Sequence, residues 1–84
     1  MKLRFALSGS IVFETEADCV PPVGSRVSFV MQTYKKGMEA GTLVTATVTE
    51  DIEPFFAFGD EGVEVTLDVD HFVTASESDL AQKV

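Results

Sequence analysis

Apolar and polar residues alternate with period two along most of the chain, the pattern of half-buried β-strands. In KLRFALS, Leu3, Phe5 and Leu7 share one face, while Lys2, Arg4, Ala6 and Ser8 share the other. SIVFETE continues as a strand after Gly9, where a glycine inside a strand pattern predicts a bulge or a sharp bend. DCVPPVG reads as a loop, because Pro21 and Pro22 cannot donate to a ladder. SRVSFVMQTY places Val27, Phe29 and Met31 on one face, and GTLVTATVTE places Val44, Ala46 and Val48 together. Residues 27–49 are thus expected to form a hairpin with a long connection through KKGMEAG. GVEVTLDVD has the cleanest alternation, with Val63, Val65, Leu67 and Val69 inward and Glu64, Thr66, Asp68 and Asp70 outward.

Helix is expected only at the end. In SESDLAQKV, Ser76 precedes Asp79 by three residues, which resembles a capping box. Residues 76–84 are read as a short helical turn or a frayed tail. About five short strands in 84 residues predict an all-β domain spanning residues 1–84. Its expected architecture is a small antiparallel barrel, SH3-like or OB-like, or else a compact two-layer sandwich. The expected core comprises Leu3, Phe5, Leu7, Val27, Phe29, Val65 and Leu67.

One stretch breaks the alternation of apolar and polar. EDIEPFFAFGDEG, residues 50–62, sets three phenylalanines among five acidic side chains. Pro54 restricts it to an edge strand or a loop. Alternation assigns Phe56 and Phe58 to one face and Phe55 to the other, so a core that takes the first two leaves Phe55 outside. An aromatic beside a charged rim fits an interface anchor. The alternative is that all three rings cap the bottom of the core while the acids keep the rim solvated.

Charge sharpens this picture. The net charge is −8, and it is unevenly spread. Residues 1–36 hold five lysines and arginines against three acids, whereas residues 37–82 hold eleven acids and no lysine or arginine. Nucleic acid is therefore not an expected partner, since phosphate binding needs clustered cations. A protein with a basic surface is, through Phe55 with Glu53, Asp60 and Glu61 as rim and with the row Glu64, Asp68 and Asp70. Strand residues i and i+2 lie about 6.6 Å apart, and such a row of anions on one face also admits mimicry of a nucleic-acid phosphate track. A third reading is a homo-oligomer formed through a hydrophobic edge.

Catalytic and metal chemistry find little support. There is no glycine-rich phosphate loop before a helix and no G-x-S-x-G. Ser8–Gly9–Ser10 sits in a strand pattern and reads as a bend. Asp68, Asp70 and His71 are all potential ligands, but adjacent strand residues point to opposite faces. No cofactor is expected. Cys19 is the single cysteine, and a nucleophilic role would need His71 beside it. One cysteine excludes an intramolecular disulfide and favours a reducing compartment. No stretch reads as a signal peptide or a bilayer span, so a cytoplasmic protein without membrane contact is expected. The sequence thus points to a non-enzymatic acidic interaction module, an inhibitor or adaptor by analogy with the small acidic products of mobile genetic elements.

Overall fold

A computed structural model describes residues 1–75. The expected helical turn at residues 76–84 lies outside them. Six strands follow in chain order: β1 (Lys2–Leu7), β2 (Ser10–Glu16), β3 (Arg26–Val30), β4 (Leu43–Val48), β5 (Phe55–Gly59) and β6 (Gly62–Ala75). Their order in the sheet is β2-β1-β6-β4-β3, and β5 pairs with β6 off that path. All pairings are antiparallel except β1 with β6, which is parallel. The sheet curls into a half-barrel, as the alternation predicted.

Each local reversal has a legible cause. The bend expected at Gly9 is a complete hairpin turn: Ser8 and Gly9 both have positive φ, at 51° and 82°, and Leu7 pairs with Ser10. Two left-handed residues match the right-handed twist of the flanking strands, and glycine takes one of those places without strain. The predicted β3–β4 hairpin is present, from Arg26↔Thr47 to Val30↔Leu43. Its long connection is tied across its base by Met31 N–H to the Thr42 carbonyl and by Gly41 N–H to the Met31 carbonyl, both at 2.9 Å.

β6 organises the fold. It runs for 14 residues, well past the strand read at 62–70. Its first half lies between β1 and β5, with Lys2↔Glu64 on one side and Ala57↔Glu64 on the other. Its second half pairs with β4. Within this second half the ladder slips: Thr45 and Thr47 of β4 face Val73 and Asp70, so β6 carries an extra residue. That extra residue introduces a bulge, and His71 adopts φ 52° there. The Asp70 carboxylate accepts the His71 backbone N–H at 2.7 Å, which supports the left-handed turn. His71 is therefore a mid-strand bulge residue, just beyond the strand read at 62–70.

The core fills the concave side. Leu3, Phe5 and Leu7 from β1 meet Val65, Leu67 and Val69 from β6, Val44, Ala46 and Val48 from β4, and Phe29 from β3. Phe5, Phe13 and Phe29 bring β1, β2 and β3 together, with ring centroids 5.0–6.0 Å apart. The Gln32 amide also donates to the Glu14 carbonyl at 3.2 Å, so the two end strands of the sheet approach each other. Met31, Met38 and Val12 join the core, whereas Val27 is only half-buried. Val27 lies near the start of β3, an end strand with one paired neighbour, so water reaches it. Met38 comes from the β3–β4 connection, where no periodic signal marks it as apolar core.

Candidate interaction edge

β5 begins directly after Pro54 and, among the described residues, pairs along one side only, with β6. This is the edge position that proline permits. The register sets Phe56 opposite Val65 and Phe58 opposite Val63, while Phe55 faces Thr66. Val65 is fully buried, so Phe56 and Phe58 are on the concave side and Phe55 is on the convex side. The alternation therefore holds. Burial does not follow it: Phe55, Phe56 and Phe58 are 66%, 47% and 79% exposed. None of the three caps the core. Among the described residues no layer covers the concave side of β5 enough to bury Phe56 or Phe58.

Acids surround the rings. Glu50, Asp51, Glu53, Asp60 and Glu61 are all exposed, and among the described residues none lies within ion-pair distance of a cation. Asp60 and Glu61 form the two-residue loop between Gly59 and Gly62. Gly62 has φ 117°, a conformation that favours glycine, and it lets the chain leave this tight loop directly into β6. The same loop borders an open cleft of about 630 Å³, lined in part by Lys2, Glu16, Phe58 and Glu64.

The convex face beside β5 differs from the all-acidic surface expected for the second half of the chain. Strand pairing aligns Phe55, Thr66, Arg4 and Glu14 in one row and Ala57, Glu64, Lys2 and Glu16 in the next. Arg4 donates to the Glu64 carboxylate at 2.8 Å and lies 3.6 Å from Glu14. Lys2 is 3.8 Å from Glu14, and the terminal ammonium is 3.7 Å from Glu16. Residues 37–82 lack a lysine or arginine, yet parallel pairing of β1 brings two cations to the outer side of β6.

The acids of β6 consequently have separate fates. Glu64 is held by Arg4. Asp68 is half-buried, and its carbonyl accepts Thr49 N–H at 3.0 Å. Asp70 is exposed but supports the bulge at His71. They do not present an unengaged row of anions. Cys19 is exposed in the β2–β3 connection and His71 is exposed in β6. Among the described residues no three His, Cys, Asp or Glu side chains gather in a group able to hold a metal. Sequence reasoning missed Phe56 and Phe58 as exposed rings. Their signal was Pro54 immediately before an apolar strand flanked by acids. No protein-family model, no curated protein and no solved structure matches this chain.

Proposed function

We propose that the protein is a non-enzymatic interaction module that docks a basic protein surface on β5. The observation that carries this reading is the exposure of all three phenylalanines on an edge strand flanked by unpaired acids. Exposed aromatics supply contact area at low entropic cost, and desolvated rings control residence time. Glu53, Asp60 and Glu61 form the rim, which steers encounter with a cationic partner. Glu64, Asp68 and Asp70 contribute background charge, since two of the three are already engaged. The analogy with inhibitors and adaptors of mobile genetic elements in the cytoplasm fits this charge and size but rests on composition alone.

Affinity capture from the native host at low and high salt tests the reading, using wild type, Phe55→Ala and the triple variant Glu53→Gln, Asp60→Asn, Glu61→Gln. A partner retained by wild type at low salt, reduced by Phe55→Ala and insensitive to salt with the triple variant supports it. A partner that binds all three proteins alike places the interface elsewhere.

A further inference from the structure

Resting on that reading, we propose that β5 takes its partner as an added strand: an extended segment with alternating apolar residues and lysine or arginine at its ends. Three features of the edge converge on this mode. Among the described residues, β5 pairs only with β6, so its other side presents unpaired backbone N–H and C=O groups. A strand laid there completes the ladder and receives main-chain hydrogen bonds along its length. The rings flank that open side on both faces, Phe55 above and Phe56 and Phe58 below. The alternating apolar side chains of an added strand share one face, and whichever face that is presents a ring to them. A helix or a flat patch would use one face and leave the backbone groups unpaired.

The ends of the strand specify charge. Glu53 precedes β5, and Asp60 and Glu61 follow it, at opposite ends of the same open edge. Cations at both ends of the incoming segment meet them. At the loop end, Phe58 with Asp60 and Glu61 offers an aromatic ring together with carboxylates, a setting suited to a lysine or arginine head group, and Glu16 and Glu64 line the same cleft alongside Met1 and Lys2. The same charges disfavour a second copy of this chain. Two β5 strands paired antiparallel about Ala57 would set Glu53 of one against Glu61 of the other, twice per dimer. Like charges directly opposite in a ladder are destabilising.

The test titrates synthetic peptides into the full-length, nitrogen-15-labelled protein and follows backbone amides by NMR. The probe is a nine-residue peptide of alternating valine and threonine with two lysines at each end. Two controls have glutamate in place of lysine, or N-methyl groups on every central amide. Strand addition predicts shifts and slowed exchange at residues 55–59 with the lysine peptide, and at least tenfold weaker binding of both controls. Equal binding of the N-methylated peptide overturns strand addition while leaving an aromatic contact surface intact. Equal binding of the glutamate peptide overturns the charge specification. No change at residues 55–59 with millimolar lysine peptide also overturns the proposal. So does concentration-dependent dimerisation that protects the same amides, because the occupant is then a second copy. Failure of the interaction-module reading itself is scored separately, by the Phe55→Ala capture.

Discussion

The molecule contains two phenylalanine trios with opposite fates. Phe5, Phe13 and Phe29 come from three strands and stack in the closing seam of the barrel. Phe55, Phe56 and Phe58 come from one strand and stay exposed. Residue type and alternation are the same in both. The difference lies in what stands opposite. The first trio sits where the sheet curls back, so each ring has a facing layer. The second sits on a strand that, among the described residues, has one neighbour and nothing facing it. Burial of an aromatic thus depends on the curvature of the sheet around it more than on its place in an alternating pattern. An exposed trio also carries a solubility cost, which the surrounding acids offset.

The contrast breaks most readily at the first trio, in which Phe5 and Phe29 are buried and Phe13 is half-buried. Phe29→Ala should cost about 3–5 kcal/mol, because the ring is almost fully buried and leaves a cavity. In a domain of this size that is a large part of total stability. Urea denaturation reads the loss, and an unchanged midpoint would show that the seam is not packed as described. The opposite trio should behave in the opposite way. Phe55→Ala should leave the denaturation midpoint nearly unchanged, while weakening partner binding by about 1–3 kcal/mol through faster dissociation. If it unfolds the protein instead, the ring belongs to the core and the comparison collapses.

Smaller effects sharpen the boundary between the two regions. His71 occupies a left-handed conformation at the bulge within the part of β6 that pairs with β4, beyond the part that pairs with β5. His71→Gly should stabilise the fold, by no more than about 1 kcal/mol, because glycine removes the steric penalty but loses more chain entropy. His71→Val should destabilise it, and a thermal melt that ranks valine above glycine would contradict the bulge geometry. The smallest change is expected for Arg4→Gln. The ion pairs of Arg4 are partly exposed, so their loss should cost under about 1 kcal/mol. It should also release the Glu64 carboxylate beside β5 and steepen the salt dependence of association with a cationic partner. Stopped-flow association rates at several salt concentrations measure that slope.

Much of the fold was legible because β-alternation is a local property. Leu3, Phe5, Leu7, Val65 and Leu67 were identifiable as core from period two alone, and Pro54 marked an edge. The Ser8–Gly9 turn was legible as a break but not as a full reversal. That distinction depends on whether Leu7 and Ser10 pair. At the candidate edge, the sequence showed the rings, the acids and the face of each ring. It did not show that Phe56 and Phe58 stay in solvent, since exposure is set by the absence of a facing layer.

What the sequence determined by itself is most of the strands, most of their inward residues and the asymmetry of charge between the two halves of the chain. Each follows from interactions within a few residues or from simple counting. The tertiary structure alone decided the parallel pairing of β1 with β6, which joins segments some sixty residues apart. That pairing carries Arg4 to Glu64 and neutralises an acid for which nearby sequence supplied no cation. It also fills one side of β6 and leaves β5 the other, so among the described residues β5 ends the sheet on that side and its rings are exposed. Long-range pairing is chosen by the total burial and hydrogen bonding of the whole chain, and no local window of residues contains that sum.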